Sequence, residues 1–186
     1  MAEANAGKEY TELSNPVLAP VPGKIEVVHW FWYGCGHSHR FASAVGPWTD
    51  KLANDVAYRR LPVMFNDWAE AHAQMFFVLE ASGAEDKVHN AVYDAIQNRR
   101  LLTDPQDQAD FLASQGLDRA KYLAAYRSFG IQSRVQQAKH LANVYQITTT
   151  PSMVVNGKYR FDPGMTGGYD RTLKVADQLI SKERTA

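Results

Sequence analysis

The sequence predicts an α/β fold in which a helical block is inserted between two strand-bearing parts of one chain. Three observations carry this. Residues 25–33, IEVVHWFWY, are dense in β-branched and aromatic side chains, the pattern of a strand buried on both faces and hence of a sheet covered by helices. Residues 68–146 show helical stretches separated by turn signals, with no strand pattern among them. From Pro151 onward the pattern returns to strand, turn, strand and a final helix.

Composition bounds the answer. A chain of 186 residues can bury one substantial core, and a domain carrying one insertion suits that length better than two independent domains. Lysine plus arginine equal aspartate plus glutamate at 20 each, so no overall field favours nucleic acid or an acidic membrane surface. Apolar residues make up 45% of the chain but are interspersed with charges, and no run approaches the roughly 18 apolar residues of a membrane-spanning helix. The start, MAEANAGKEYTEL, has no basic segment followed by an apolar run and does not read as a secretory signal. A mature exported chain behind a new Met1 would read the same way. The single cysteine excludes an intramolecular disulfide framework.

The elements follow in order. Residues 16–23, PVLAPVPG, are proline-rich and predict an extended approach, so the first regular element is expected near Lys24. The strand over residues 25–33 ends at Gly34. Beyond Cys35 and Gly36, the segment HSHRFASAVGPWTDKLAN places Phe41, Val45 and Trp48 at helical spacing, and Gly46–Pro47 predicts a kink. A second strand is expected in VAYRRLPVMF. Within the helical block, Thr103-Asp104-Pro105-Gln106 reads as a capping box with proline in the first turn, and Gly116 and Gly130 are expected at helix C-terminal caps. Asn156–Gly157 between SMVV and KYRF predicts a two-residue β-hairpin. An amphipathic helix from about Gly168 to Arg184 closes the chain. Removing the helical block leaves βαβ followed by ββα, a sheet with helices on its faces. The expected domains are therefore 1–64 with 147–186 for the sheet, and 65–146 for the insertion.

Cys35 is the chemical focus. A cysteine after a buried strand and at the start of a helix meets unpaired backbone N–H groups and the positive end of the helix dipole, both of which favour the nucleophilic thiolate. The dipole is worth about 0.3–1 and at best ~2 kcal/mol, and one pKa unit is about 1.4 kcal/mol, so it lowers the thiol pKa by roughly one unit. Stronger activation requires hydrogen bonds to sulfur and a nearby positive group, for which His37 is the candidate. Most isolated cysteines are small buried hydrophobes. Here the flanking Gly34 and Gly36 leave the sulfur uncovered, and polar His37-Ser38-His39 follow directly.

The segment FWYGCGHSHRF resembles the active-site segment of the DsbA family of thiol-disulfide oxidoreductases, whose members carry Cys-x-x-Cys, usually Cys-Pro-His-Cys, after an aromatic strand. The resemblance extends over GKEYTEL, the helical insertion, TTTPSMVVNGKYRF and the terminal helix. It implies a thioredoxin fold, a mixed central sheet flanked by helices, with an inserted all-helical domain. It further implies catalysis at Cys35 with Gly36 and His37 in the motif, and no cofactor or metal. The implied substrates are reduced or unfolded exported proteins. A membrane quinone-linked reoxidising partner of the DsbB type, a periplasmic location and a monomeric state complete the expectation.

Three residues depart from the family pattern. Ser38 occupies the position of the second cysteine and reads as a Cys-to-Ser active-site replacement, engineered or natural, that leaves mixed-disulfide formation but not turnover. Gly36 replaces the usual proline and gives the Gly-His pair typical of disulfide isomerases, which leaves the redox potential open. His29 stands where the family commonly has a buried acidic residue, either as a histidine satisfied within the sheet or as a proton-transfer group.

Thr150–Pro151 resembles the cis-proline loop of thioredoxin-like folds. A proline there removes an N–H and leaves the Thr150 backbone to pair with an extended substrate. Trp32 is read as core, whereas Tyr33 and Phe41 suit either core or an apolar groove. His72, His89 and His140 show no paired ligand spacing, so no metal site is expected. Two other classes remain. A kappa-type glutathione transferase or isomerase would bind glutathione without Cys35, and a non-catalytic chaperone-like module would bind peptide at Thr150–Pro151 independently of the thiol.

Overall fold

A computed structural model describes residues 2–17 and 21–186; part of the extended approach expected over 16–23 therefore lies outside the described residues. The strands are β1 (Thr11–Glu12), β2 (Ile25–Phe31), β3 (Val56–Pro62), β4 (Ser152–Val155) and β5 (Tyr159–Phe161). The helices are α1 (Gly36–Thr49), α2 (Asp67–Ala81), α3 (Glu85–Gln97), α4 (Pro105–Ser114), α5 (Arg119–Tyr126), α6 (Phe129–Val144), α7 (Pro163–Thr166) and α8 (Tyr169–Arg184). The chain forms two compact units. One comprises the chain up to Phe31, His37–Leu61 and Asn143–Ala186; the other comprises Trp32–Gly36 and Pro62–Ala142. The short segment that carries Cys35 thus groups with the helices.

In the first unit the sheet has the order β1-β5-β4-β2-β3. Every residue of β2 is buried, and β4 runs antiparallel to it with Val27 opposite Val155 and His29 opposite Met153. Strand alternation then divides the side chains. Ile25 and Val27 join Phe41 and Val45 of α1, Met153 and Val155 of β4, and Val175, Ala176 and Leu179 of α8 in one core. From the opposite face Trp30 meets the Tyr145 ring edge-on at 6.1 Å. The last turn of α8 is tied to the hairpin by the nearly buried Glu183. Its carboxylate accepts from Asn156 Nδ2 at 2.6 Å, Lys158 Nζ at 2.7 Å and Tyr159 Oη at 3.1 Å.

The second unit is built on helices with polar caps. Asn66 caps α2 by accepting from the Ala69 N–H, and Asp118 caps α5 by accepting from the Lys121 N–H. Buried Gln108 of α4 accepts from Tyr122 Oη at 2.7 Å and donates to the Leu102 carbonyl at 2.7 Å, so both ends of its amide are paired.

Several local expectations are corrected. β1, which forms before Lys24, pairs with β5 through Thr11 opposite Arg160, a long-range contact with no local signature. β2 stops at Phe31 rather than Tyr33, because the chain turns there and the Cys35 N–H closes onto the Trp32 carbonyl. β3 ends at Pro62, which has no N–H with which to continue a ladder. Asp104, not Thr103, caps α4, its carboxylate accepting from the Gln106 and Asp107 N–H groups. Gly130 lies in the first turn of α6 rather than at a C-terminal cap. Gly46–Pro47, where a kink is expected, lies inside α1, which continues to Thr49. The hairpin connection is one residue longer than expected, with Val155 opposite Tyr159; the Lys158 carbonyl accepts from the Leu13 N–H instead of joining the β4–β5 ladder.

Gly157 holds φ at +65°, and a β-carbon there would collide with the Val17 carbonyl. Gly157→Ala is expected to destabilise the protein by more than about 1 kcal/mol, read as a lower urea midpoint with an unchanged m-value.

Candidate active site

Cys35 sits between β2 and the first residue of α1, and is half-buried. Its N–H donates to the Trp32 carbonyl at 3.0 Å, so residues 32–35 form a turn that delivers the cysteine to the N-terminus of α1. There, backbone N–H groups and the helix dipole favour negative charge on sulfur. Cys35 forms no disulfide, and it has no second cysteine to pair with.

The other residues singled out in the sequence occupy distinct environments. His37 is exposed, and its Nδ1 lies 3.0 Å from Arg40 Nη2 and 3.3 Å from Tyr169 Oη. A guanidinium is only a donor, so this Nδ1 acts as an acceptor. Ser38 is completely buried in the first turn of α1. Gly36 opens α1. The Thr150–Pro151 peptide bond is cis; Thr150 and Pro151 are both buried and stand directly before β4.

His29 is buried in β2 with its Nδ1 2.8 Å from Tyr58 Oη. Its ring meets Phe41 edge-on at 5.2 Å, and its Nε2 is buried without a partner among the described residues. The ring is therefore only half satisfied. Burial, with Arg60 adding a smaller effect of the same sign, pushes its pKa down to about 3. Glu26, near the other end of β2, is also buried, and burial raises its carboxyl pKa despite Arg59 Nε at 3.2 Å.

The aromatic residues before Cys35 reveal partners that the sequence did not single out. Trp32 is partly exposed rather than core. Its indole Nε1 donates to His72 Nδ1 at 3.1 Å, and His72 Nε2 lies 2.7 Å from the Leu101 carbonyl. An indole N–H only donates and a carbonyl only accepts, so His72 carries its proton on Nε2. Burial lowers its pKa, opposed by the Leu101 carbonyl. Tyr33 is buried, with its hydroxyl 2.8 Å from His89 Nδ1 and its carbonyl accepting from Gln97 Nε2 at 3.2 Å. Glu85 Oε1 lies 3.3 Å from the same His89 nitrogen. The usable signal was the position of His72 and His89 among apolar neighbours on α2 and α3, because a buried imidazole requires hydrogen-bond partners. No cluster of metal-ligating side chains occurs among the described residues.

Residues 51–179 match the DSBA-like thioredoxin domain, a match that begins beyond Cys35. The relatives cover the segment itself. The chain is 53% identical to the thiol:disulfide interchange protein DsbA of Pseudomonas aeruginosa PAO1 over 182 residues, covering 97% of this chain and 86% of that protein. It is 48% identical to DsbA of Azotobacter vinelandii over 186 residues, 100% of this chain and 87% of that protein. Among solved structures, P. aeruginosa DsbA superposes with a TM-score of 0.95 at 52% identity, covering 98% of this chain and 95% of that one. The oxidoreductase DsbA of Xylella fastidiosa gives 0.93 at 28% identity, with full coverage of both chains.

The buried His29 makes a pH prediction. Between about pH 6.5 and about pH 3 its imidazole is protonated in the unfolded chain and neutral in the folded one, so the unfolded state binds more protons and stability falls as pH falls through this window. His29→Leu should flatten the dependence of unfolding free energy on pH by up to one proton, about 1.4 kcal/mol per pH unit. Parallel urea titrations at pH 4, 5 and 6 measure it, and identical slopes for parent and variant would contradict it.

Proposed function

This chain belongs to the DsbA family of thiol:disulfide interchange proteins, and on that premise we propose that Cys35 is its nucleophilic thiol and Ser38 the position from which a resolving thiol is missing. The placement of half-buried Cys35 at the N-terminus of α1 carries the reading. Only there do a partly accessible sulfur and an anion-favouring helix end coincide with the family's active-site segment.

In a chain with cysteine at position 38, the two sulfurs form the catalytic disulfide. A substrate thiolate attacks Cys35 Sγ, forms a mixed disulfide and expels the second sulfur as thiolate. Attack by a second substrate thiolate then releases the oxidised substrate and leaves the dithiol enzyme. The substrate loses two electrons and the enzyme gains them. A membrane quinone-linked partner of the DsbB type takes those electrons, and the cycle serves exported proteins in the periplasm.

With Ser38 the first half survives in another form. The Cys35 thiolate attacks the R-bearing sulfur of a disulfide R–S–S–R′, a new S–S bond to Cys35 Sγ forms as the original S–S bond breaks, and R′–S⁻ leaves. A hydroxyl at position 38 is too poor a nucleophile and too unstable an S–O partner to resolve the adduct. The mixed disulfide therefore waits for an external thiol. Gly36 and His37, the residues between positions 35 and 38, tune thiolate stability, and Thr150–Pro151 supplies backbone for an extended substrate.

Three measurements test this. Thiolate absorbance against pH should place the Cys35 pKa below the ordinary value of about 8.5, and a chain treated with a small disulfide should accumulate a stable adduct. Ser38→Cys should then gain oxidative refolding activity toward a reduced substrate. Absence of any gain over the parent chain would sink the assignment.

A further inference from the structure

Resting on Cys35 as the nucleophile, we propose that His72 is a positioning residue for that cysteine, acting through the indole of Trp32. The turn from Trp32 to Cys35 contains Gly34, which has no side chain with which to hold itself in place. The Trp32 indole occupies that space: a β-carbon at Gly34 would clash with Cζ2 and Cε2 along one edge of the indole's six-membered ring. Trp32 is thus engaged at both ends. Its carbonyl accepts from the Cys35 N–H at 3.0 Å, and its Nε1 donates to His72 Nδ1 at 3.1 Å.

The anchor is itself held. His72 is 1% exposed in the middle of α2, and its Nε2–H donates to the Leu101 carbonyl at 2.7 Å. The next carbonyl, that of Leu102, accepts from buried Gln108 Nε2 at 2.7 Å. The loop carrying both turns through positive φ at Arg99 (70°) and Leu102 (51°). Each group therefore has a defined direction, from Gln108 to the loop, from the loop to His72, from His72 to the indole, and from the indole to the turn that ends at Cys35. Since Trp32 is partly exposed, loss of the His72 bond removes the polar anchor that directs its ring against Gly34. The turn then loses its cover, and the sulfur its fixed direction at the N-terminus of α1. The bond is one between neutral partners, and His72 touches no reacting atom.

The test uses the full chain and reads the second-order rate of Cys35 alkylation by iodoacetamide from pH 4 to pH 9, with thermal midpoints to confirm folding. His72→Leu and Trp32→Phe each remove one partner of the bond, and each should slow alkylation at pH 7 by roughly two- to tenfold, the worth of one hydrogen bond, with the rate profile displaced to higher pH. His72→Gln keeps an acceptor for the indole and a donor for Leu101, and should return the rate to within about twofold of the parent. The double variant should be no slower than either single one. A merely structural role for His72 predicts a lower melting temperature with an unchanged alkylation profile, and that result overturns the proposal, as does an additive double variant. If His72→Leu does not fold, Trp32→Phe and His72→Gln decide alone. An ordinary thiol profile in the parent chain would instead remove the nucleophile assignment on which the proposal rests.

Discussion

Complete burial of β2 constrains everything that follows it, because a strand enclosed on both faces must find every polar partner inside the protein. Its apolar side chains do so readily, Ile25 and Val27 on one face and Trp30 on the other. Its polar side chains do so only in part. Glu26 Oε1, His29 Nε2 and Trp30 Nε1 are buried without partners among the described residues, each at a cost of order 1–3 kcal/mol in desolvation. Glu26 and His29 respond by shifting toward their neutral forms, the carboxyl upward and the imidazole downward. Apolar packing and the β2–β4 ladder outweigh that cost.

Where β2 ends, the same demand is met differently. Trp32 and Tyr33 are amphipathic, and each carries one polar group that needs a partner. His72 and His89 provide those partners, and Gln97 takes the Tyr33 carbonyl. The segment that carries Cys35 is consequently held by its aromatic side chains, while Gly34, Cys35 and Gly36 between them have little bulk of their own. This division lets the sulfur sit at a helix terminus without a large side chain covering it. Ser38, in the first turn of α1, is by contrast sealed. In a chain with cysteine there, full burial would protect the second thiol while leaving Cys35 as the accessible partner, the asymmetry a dithiol exchange requires.

Much of this was legible in the sequence. Continuous β-branched and aromatic residues over 25–33 predicted a doubly buried strand, and the helical block and terminal helix were equally clear. The segment around Cys35 was informative because glycines, a thiol and polar residues rarely follow such a strand without a chemical reason. What misled local reading had local causes. Thr103 satisfied the capping-box spacing, yet Asp104 beside it is the better-placed carboxylate. Trp32 looked like core because large aromatics usually are, whereas its indole lies partly exposed over a glycine two residues on. His72 and His89 carried no mutual spacing, so nothing in the sequence joined them to residues 40 and 56 positions away.

The sequence by itself therefore determined the long buried strand, the helical block and the terminal helix, and it singled out the one thiol on which a redox reading can rest. Those features depend on side-chain periodicity, turn residues and the intrinsic reactivity of a thiol, all properties of neighbouring residues. Only tertiary structure decided which histidine holds which aromatic, that β1 joins β5 across nearly the whole chain, that His29 is driven neutral and that Ser38 is sealed. These depend on distance and solvent exclusion between residues far apart in the chain. Hydrogen-bond geometry and desolvation have no counterpart in sequence spacing, so the direction in which Cys35 is presented is a property of the folded protein alone.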